Sequence, residues 1–239
     1  MTDKTDKTQD EFDVRNFFKR WPKFYYFVSI VFGPLFFGGL STKACLAKYP
    51  SKGKTLNIGS GSNIIASDVV NVDIHPYKGV NIVADVHVVP LANGSVSRII
   101  SNTVFEHLHD PYAAAKEMYR LLEDGGTAYI AVPFLYPFHS SPSDYFRFTT
   151  EGIKELFSDF EVVEIGVRAG PFSALNAHIN HLFVAVLSFG SLLLHSLILN
   201  LVMFITFPIK LPDLVFNRWP GSDTVAALLY CVVKKKKKE

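Results

Sequence analysis

Cysteine is almost missing. Cys45 and Cys231 stand far apart and form no CxxC pair, which excludes a disulfide-built scaffold and leaves no thiolate set for zinc. The eight histidines show no ligand spacing, so no metal is expected. Charge is scarce as well: Asp, Glu, Lys and Arg make up 19% of the 239 residues, against about 25% in an average soluble chain. Five lysines against one glutamate at 234–239 give +4 there and leave −2 for the rest of a +2 chain. A body without basic excess lacks the electrostatic footprint of a nucleic-acid binder. The opening MTDKTDKTQD is polar and of mixed charge, with no basic region leading into an apolar run. It predicts no cleaved signal peptide and a cytoplasmic-side location.

What the chain has in abundance is apolar surface, 49% hydrophobic and 14% aromatic, enough to bury a core and too much to stay unfolded. The reading divides it into a polar tail at 1–22, an apolar N-terminal helix at 23–50, a core at 51–168, an apolar helical insert at 169–216, and a final strand with a poly-lysine tail at 217–239. From 24 to 42 there is no Asp, Glu, Lys or Arg, and Trp21, Tyr25 and Tyr26 cluster beside Arg20 and Lys23. That pattern suits either a membrane interface or a helix covering one edge of the core.

Short β-rich runs at 55–58, 69–74, 81–84, 98–101, 128–132 and 161–165 alternate with helical spacing. Asp110 and Pro111 open one helix as N-cap and first-turn proline, with apolar residues from Tyr112 to Leu122 and Gly125 closing it. Thr149 opens another that buries Ile153, Leu156 and Phe157. Strands alternating with helices predict a doubly wound, mostly parallel sheet. Only ten residues separate Ile58 from Val69, so the first crossover helix is short or absent.

Residues 169–209 contain none of Asp, Glu, Lys or Arg. Length alone permits one bilayer crossing. A single crossing between two strands of one sheet would strand the second on the wrong side, and two crossings need about 40 apolar residues. Helices lying at a membrane interface, or packed on a partner, satisfy both facts. Residues 225–233 read as the returning strand. The terminal lysines are either a solvated tail or an added attraction to anionic lipid.

The chemistry concentrates after the strands. LNIGSGSN at 56–63 is a glycine-rich turn directly following a strand, where backbone approaches a ligand at the C-terminal edge of a parallel sheet. The dinucleotide fingerprint would need glycine at position 64, which is Ile64. Asp73 ends the second strand, where a carboxylate can accept both hydroxyls of a ribose, and Asp85 ends the third, where one can accept from an exocyclic amine; the alternative for either is a surface or capping acid.

These motifs, with VDI at 72–74, Ala84-Asp85 and Pro90-Leu91, VFEHL at 104–108, EMYRLL at 117–122 and Gly125-Gly126, follow one another in an order that resembles class I S-adenosylmethionine-dependent methyltransferases, of the methyltransferase type 11 group. The resemblance implies a seven-stranded Rossmann-like sheet with a final antiparallel strand, and S-adenosyl-L-methionine as cofactor. It implies Gly59, Ser60 and Gly61 at the amino-acid part, Asp73 at the ribose and Ile74 beside the adenine. Asp85 and Val86 would then sit at the adenine edge, with Asn102 and Thr103 lining the cofactor. The chain departs from the pattern at Asn57, where an acid is usual, at Asn63, where a glycine is usual, and at Arg98, where an acid often stands.

Methyl transfer asks mainly for alignment and exclusion of water, and for a base when the acceptor carries a proton. The segment PFLYPFHSSPSDYFRFT at 133–149 resembles one methyltransferase subgroup and leaves the fifth strand at the ligand edge. It supplies candidate catalytic residues: His139 as base, Asp144 orienting it, Tyr145 binding substrate. The bland alternative pairs Asp144 with Arg147 and leaves His139 capping a turn. Glu106 and His107 are second choices, and His178, His181 and His195 form a poor ligand set. The expected function is methyl transfer to a small or lipid-like acceptor, with a membrane surface met through 24–42, 169–209 and the lysines. The rival reading is a catalytically inactive cofactor-binding module, or a structural subunit of a membrane-associated complex.

Overall fold

The computed structural model describes residues 33, 35–139 and 143–237. The expected polar tail, and the apolar run up to residue 32, lie outside them. Seven strands form one sheet: β1 (Thr55–Ile58), β2 (Val69–Asp73), β3 (Ile82–Val83), β4 (Val96–Asn102), β5 (Leu122–Pro133), β6 (Phe160–Ala169) and β7 (Leu228–Lys235). Their order is β3-β2-β1-β4-β5-β7-β6, parallel from β1 to β5, with β7 antiparallel between β5 and β6. This is the mostly parallel α/β sheet that the alternating pattern predicts.

Helices follow as α1 (Thr42–Lys48), α2 (Pro111–Leu121), α3 (Thr150–Leu156), α4 (Pro171–Leu187), α5 (Leu192–Thr206) and the short α6 (Asp213–Phe216). Asp110 caps α2 by accepting from the Ala113 N–H at 2.9 Å, and Thr149 caps α3 by accepting from the Gly152 N–H at 3.0 Å. α2 stops at Leu121 rather than at Gly125: Leu122 turns extended, fully buried, and the chain enters β5 without a loop. No helix links β1 to β2 among the described residues.

Because side chains alternate across a strand, the sheet has two cores. Leu56, Ile99, Ile130 and Leu229 pack with Met118, Leu121 and Phe157 on one face. Ile100, Tyr129, Ala131 and Val232 pack with Cys45 of α1 on the other. Arg98 belongs to this second face, where its guanidinium donates to the Tyr49 and Leu46 carbonyls and to Thr55 Oγ1. It satisfies the end of α1, which accounts for arginine at that position.

Three expectations need correction. Within 23–50 the described helix is only α1; residues 35–41 are not helical, and the Phe36 and Gly39 N–H groups donate to Ser173 Oγ and the Arg168 carbonyl. Second, the last strand starts at Leu228 and takes in Lys234 and Lys235. Lys235 is buried, donates to the Leu122 carbonyl at 2.7 Å and lies over the Tyr119 ring, so the tail proper begins one residue later.

The third concerns where the lysines go. Ala169 at the end of β6 pairs with Leu228 at the start of β7, and Pro133 at the end of β5 pairs with the same residue. The insert between β6 and β7 therefore leaves and re-enters at the C-terminal edge of the parallel strands. Lys235 pairs with Phe160 at the opposite edge, about 23 Å along the strand. Insert and lysines do not form one surface.

Within the insert α4 and α5 fold back on each other through a turn at 188–191, where Phe189 has φ 47° and Gly190 φ 76°. Ser191 Oγ accepts from the Leu194 N–H to start α5. Residues Leu192–Lys210 are, among those described, the one helical stretch long and apolar enough to cross a membrane by length and composition. No residue of α5 is buried, and Phe189 at the tip is 86% exposed.

Candidate functional site

The chain turns sharply after β1. Gly59 has φ +64° and Gly61 φ +52°, both in the left-handed region that side chains resist. The two differ in surroundings: a Cβ at Gly59 would lie 2.4 Å from Val104 Cγ2, whereas one at Gly61 would meet nothing within 4 Å. Gly59 is needed for packing, and Gly61 leaves an open cradle. Ser60 is buried, its N–H donating to the Val72 carbonyl at 3.1 Å.

Asp73 closes this turn from the neighbouring strand. Its Oδ2 accepts from the Gly61 N–H at 2.8 Å and its Oδ1 from the His75 N–H at 2.9 Å. Beneath it Asn57 Nδ2 donates to Asn71 Oδ1 at 3.0 Å and to the Asn63 carbonyl at 3.2 Å. A carboxylate at 57 would set two acceptors against each other, so Asn57 and Asn71 are a matched pair.

Ile74 presents an exposed apolar side chain beside Asp73. Asp85 Oδ1 accepts from the His87 N–H at 2.9 Å and meets His87 Nδ1 at 2.6 Å. That backbone bond first, and the imidazole after it, hold the Asp85 carboxyl below its ordinary range against some burial. Val86 departs from expectation: its side chain is 8% exposed and packs in the core, so it offers no side-chain contact at the mouth. Asn102 is exposed at the end of β4. Thr103 follows at φ 55°, an outlier for a β-branched residue, stored at the edge where ligands bind.

Beyond Thr103 a 3-10 turn (Phe105–His107) carries Glu106, fully buried, with neither carboxylate oxygen hydrogen-bonded. The loop after β5 folds onto it: the Tyr145 and Phe146 N–H groups donate to the Glu106 carbonyl, and Phe148 N–H returns to the Pro133 carbonyl. Arg147 braces this loop through the Tyr136 and Pro137 carbonyls and a two-pronged pair with Asp144. Burial pushes the Asp144 carboxyl up, but Arg147 and the His139 N–H outweigh it and bring it to about 2. Residues 140–142 lie outside the described set.

His139 Nε2 and His107 Nε2 each stand 3.7 Å from Glu106 Oε1. That is too long for a hydrogen bond, so the attraction is between charges. It raises the His139 pKa above the ordinary value, against burial. Asp144 is engaged by Arg147, as the bland alternative had it, while its Oδ2 also lies 3.5 Å from His139 Nδ1. Tyr145 stands exposed at the rim. The sequence reading ranked Glu106 and His107 second and expected no metal; the fold instead joins them to His139 as three potential ligands lying within 4.8 Å of one another. The signal was there in the acidic–histidine pair directly after β4, but not the partner across α2 and β5.

The edge thus combines an open glycine cradle, an acid at each of two neighbouring strand ends, an exposed apolar face at Ile74, and an acid–imidazole cluster past β4. Those features fit a nucleoside with a charged amino-acid arm. Residues 56–130 match the model of the methyltransferase domain family. No curated protein matches the chain by sequence. Among solved structures, a Thermotoga maritima S-adenosylmethionine-dependent methyltransferase, described as a possible histamine N-methyltransferase, aligns at 17% identity over 92% of this chain and 99% of its own, with a TM-score of 0.53. The methyltransferase of Haloferax volcanii solved with its activator Trm112 aligns at 18% identity over 95% and 99%, TM-score 0.52. Phosphoethanolamine N-methyltransferase 2 of Haemonchus contortus, bound to phosphomonomethylethanolamine and S-adenosylhomocysteine, aligns at 17% over 93% of this chain and 60% of its own, TM-score 0.51. The chain thus carries a methyltransferase domain match over residues 56–130, set in a seven-stranded sheet whose fold these solved structures share.

Proposed function

We propose that this enzyme methylates an amphiphilic, lipid-like acceptor drawn from a membrane surface. The observation that carries this reading is the charge-free α4–α5 hairpin, rooted at the same sheet edge as the glycine turn. Leu182, Val186, Phe189, Leu193, Leu201 and Ile205 are all exposed on it, and clustered exposed apolar side chains mark interaction surfaces. A hairpin with both ends on one side enters a leaflet without crossing it, and so removes the topological objection to a membrane contact. The hairpin also touches the catalytic loop: the Tyr136 ring lies 6.2 Å from that of His181 and 5.2 Å from that of His139.

In this reading Gly59, Ser60 and Gly61 face the amino-acid arm of S-adenosyl-L-methionine, Asp73 the ribose and Ile74 the adenine face, with Asp85 at its edge. Asn102 and Thr103 line the cofactor from β4. When bound, the cofactor supplies a methyl group already activated on a sulfonium. The protein's task is to align the acceptor in line with that methyl and to keep water out. His139 activates an acceptor that carries a proton on its nucleophilic atom. Asp144 and Arg147 hold the loop that presents His139, and Tyr145 contacts the acceptor at the rim.

The test combines flotation and product analysis. Full-length protein mixed with phosphatidylcholine vesicles is expected to float with them, and Leu197→Lys with Phe204→Lys to stay behind. With methyl-labelled cofactor and a total lipid extract, label is expected in the solvent-extractable fraction. Protein that remains with the aqueous fraction and labels only water-soluble metabolites would overturn the reading.

A further inference from the structure

We propose that Glu106, His107 and His139 form a binding site for one divalent transition-metal ion, beside the cofactor cradle. The argument is a count of donors and acceptors. His107 Nδ1 lies in short contact with the Ser143 carbonyl, which only accepts, so the proton sits on Nδ1 and Nε2 presents a lone pair. His139 Nδ1 faces the Pro137 carbonyl at 3.4 Å and the Asp144 carboxylate at 3.5 Å, both acceptors, so its Nε2 is likewise bare in the neutral ring. Both Nε2 atoms lie 3.7 Å from Glu106 Oε1. That carboxylate is fully buried and hydrogen-bonded to nothing. Burial of a carboxylate with no partner is unfavourable. With both rings neutral, three acceptors face one point, and a cation there satisfies all three in place of a proton.

Geometry and chemistry agree on the class. Ligand atoms at about 2.0–2.1 Å from a tetrahedral metal lie about 3.4 Å apart, so the two 3.7 Å separations need to close by only a few tenths of an ångström. Two imidazoles and one carboxylate suit Zn²⁺, Co²⁺, Mn²⁺ or Fe²⁺ over Ca²⁺ or Mg²⁺. The outer partners are those that metal-binding histidines use: a backbone carbonyl behind His107 and a carboxylate behind His139. Asp144, itself fixed by Arg147, thereby acts as a positioning residue. A three-ligand site keeps a position open, and here it would take the acceptor's nucleophilic oxygen. This deepens the reading above and rests on it for the acceptor alone, since His139 then acts through the metal and not as a free base.

The experiment uses the full-length chain, stripped with a chelator and titrated with Co²⁺ alone, with cofactor binding measured on the same samples by calorimetry. We expect one Co²⁺ per chain, a visible absorption band displaced by Zn²⁺, and affinity lowered by more than about tenfold in Glu106→Gln, His107→Gln and His139→Asn. His139→Asn lies in a partly exposed loop and Glu106→Gln keeps the buried volume, so retained cofactor binding certifies that each is folded. Co²⁺ binding absent from the wild type, or indifferent to all three substitutions, overturns the site. Cofactor binding without Co²⁺ binding rejects the metal and leaves the methyltransferase reading standing. Co²⁺ binding without cofactor binding supports the metal site and tells against the cofactor assignment.

Discussion

Gly59 sits directly under Val104: the side-chain methyl of Val104 occupies the space where any Cβ on Gly59 would go, at 2.4 Å. The turn after β1 and the turn after β4 are therefore one packed unit. The glycine serves the fold at least as much as the ligand.

From this follows a contrast between two neighbouring alanine substitutions. Gly59→Ala combines a positive φ with a clash and is expected to cost about 2–4 kcal/mol of stability, read as a lowered denaturant midpoint. Gly61→Ala meets no protein atom and is expected to cost only the left-handed backbone strain, about 1–2 kcal/mol. It instead narrows the cradle, and calorimetry is expected to show cofactor affinity reduced by about tenfold or more.

Asp73→Ala removes the acceptor for the Gly61 and His75 N–H groups together with the ribose contact proposed for it. Cofactor binding is expected to vanish. Asp73→Asn keeps one oxygen for the turn, and affinity is expected to fall by about 10- to 100-fold with a smaller loss of melting temperature than in Asp73→Ala. Equal loss of stability in both would mean that Asp73 holds the loop and no ligand.

Glu117 fixes the connection from β3 to β4. Its Oε1 accepts from the buried Val89 N–H at 2.8 Å, and both oxygens accept from Arg120, whose guanidinium also reaches the Val89 and Leu91 carbonyls. Burial raises the Glu117 carboxyl, but Arg120 and the Val89 N–H prevail and hold it below its ordinary value. Glu117→Ala is expected to cost about 2–3 kcal/mol, measured by urea unfolding.

Glu164 pins α1 to the sheet. Burial raises its carboxyl, yet bonds from Lys48 at 2.7 Å, Tyr49 at 2.6 Å and Tyr230 at 2.7 Å bring it below the ordinary 4.5. A depressed folded pKa means that the stabilisation is complete above 4.5 and fades as pH falls through the folded value. Melting temperature measured from neutral pH down to acid is expected to drop less steeply below that point in Glu164→Gln than in the wild type.

Because the lysine tail leaves the sheet at the edge away from the hairpin, a chain truncated after Lys235 is expected to float with neutral and anionic vesicles as the full chain does. Loss of flotation on truncation would show that the lysines, not the hairpin, make the contact.

How far the sequence could be read follows from the range of each interaction. The caps Asp110 and Thr149 act within three residues, and the missing crossover after Ile58 is a matter of chain length; both were legible. The strands β1, β2, β4 and β5 were legible because burial on two faces favours apolar, β-branched runs. Arg98 and Asn57 looked like departures from a pattern, and only their partners, the end of α1 and Asn71, explain them. Val86 looked like a mouth residue, but strand spacing beyond the short β3 does not say which face it takes. Lys234 and Lys235 read as tail because charge masked the strand that backbone pairing extends. The convergence of His139 on Glu106 was out of reach, since it depends on a loop returning to one backbone carbonyl.

One residue, Gly170, separates β6 from α4, and Asp213 clamps the first turn of α4, accepting from the Phe172 and Ser173 N–H groups at 3.0 and 2.7 Å. There is no slack at the root of the hairpin. If its tip enters a leaflet, the catalytic edge is carried at a fixed height and tilt above the lipid, like a platform on a short stilt. Substrate selection then becomes partly a matter of reach: an acceptor group must project from the membrane by the stand-off that the hairpin sets. Lengthening or shortening α4 and α5 by whole turns would retune which lipids are methylated, without touching a residue of the site.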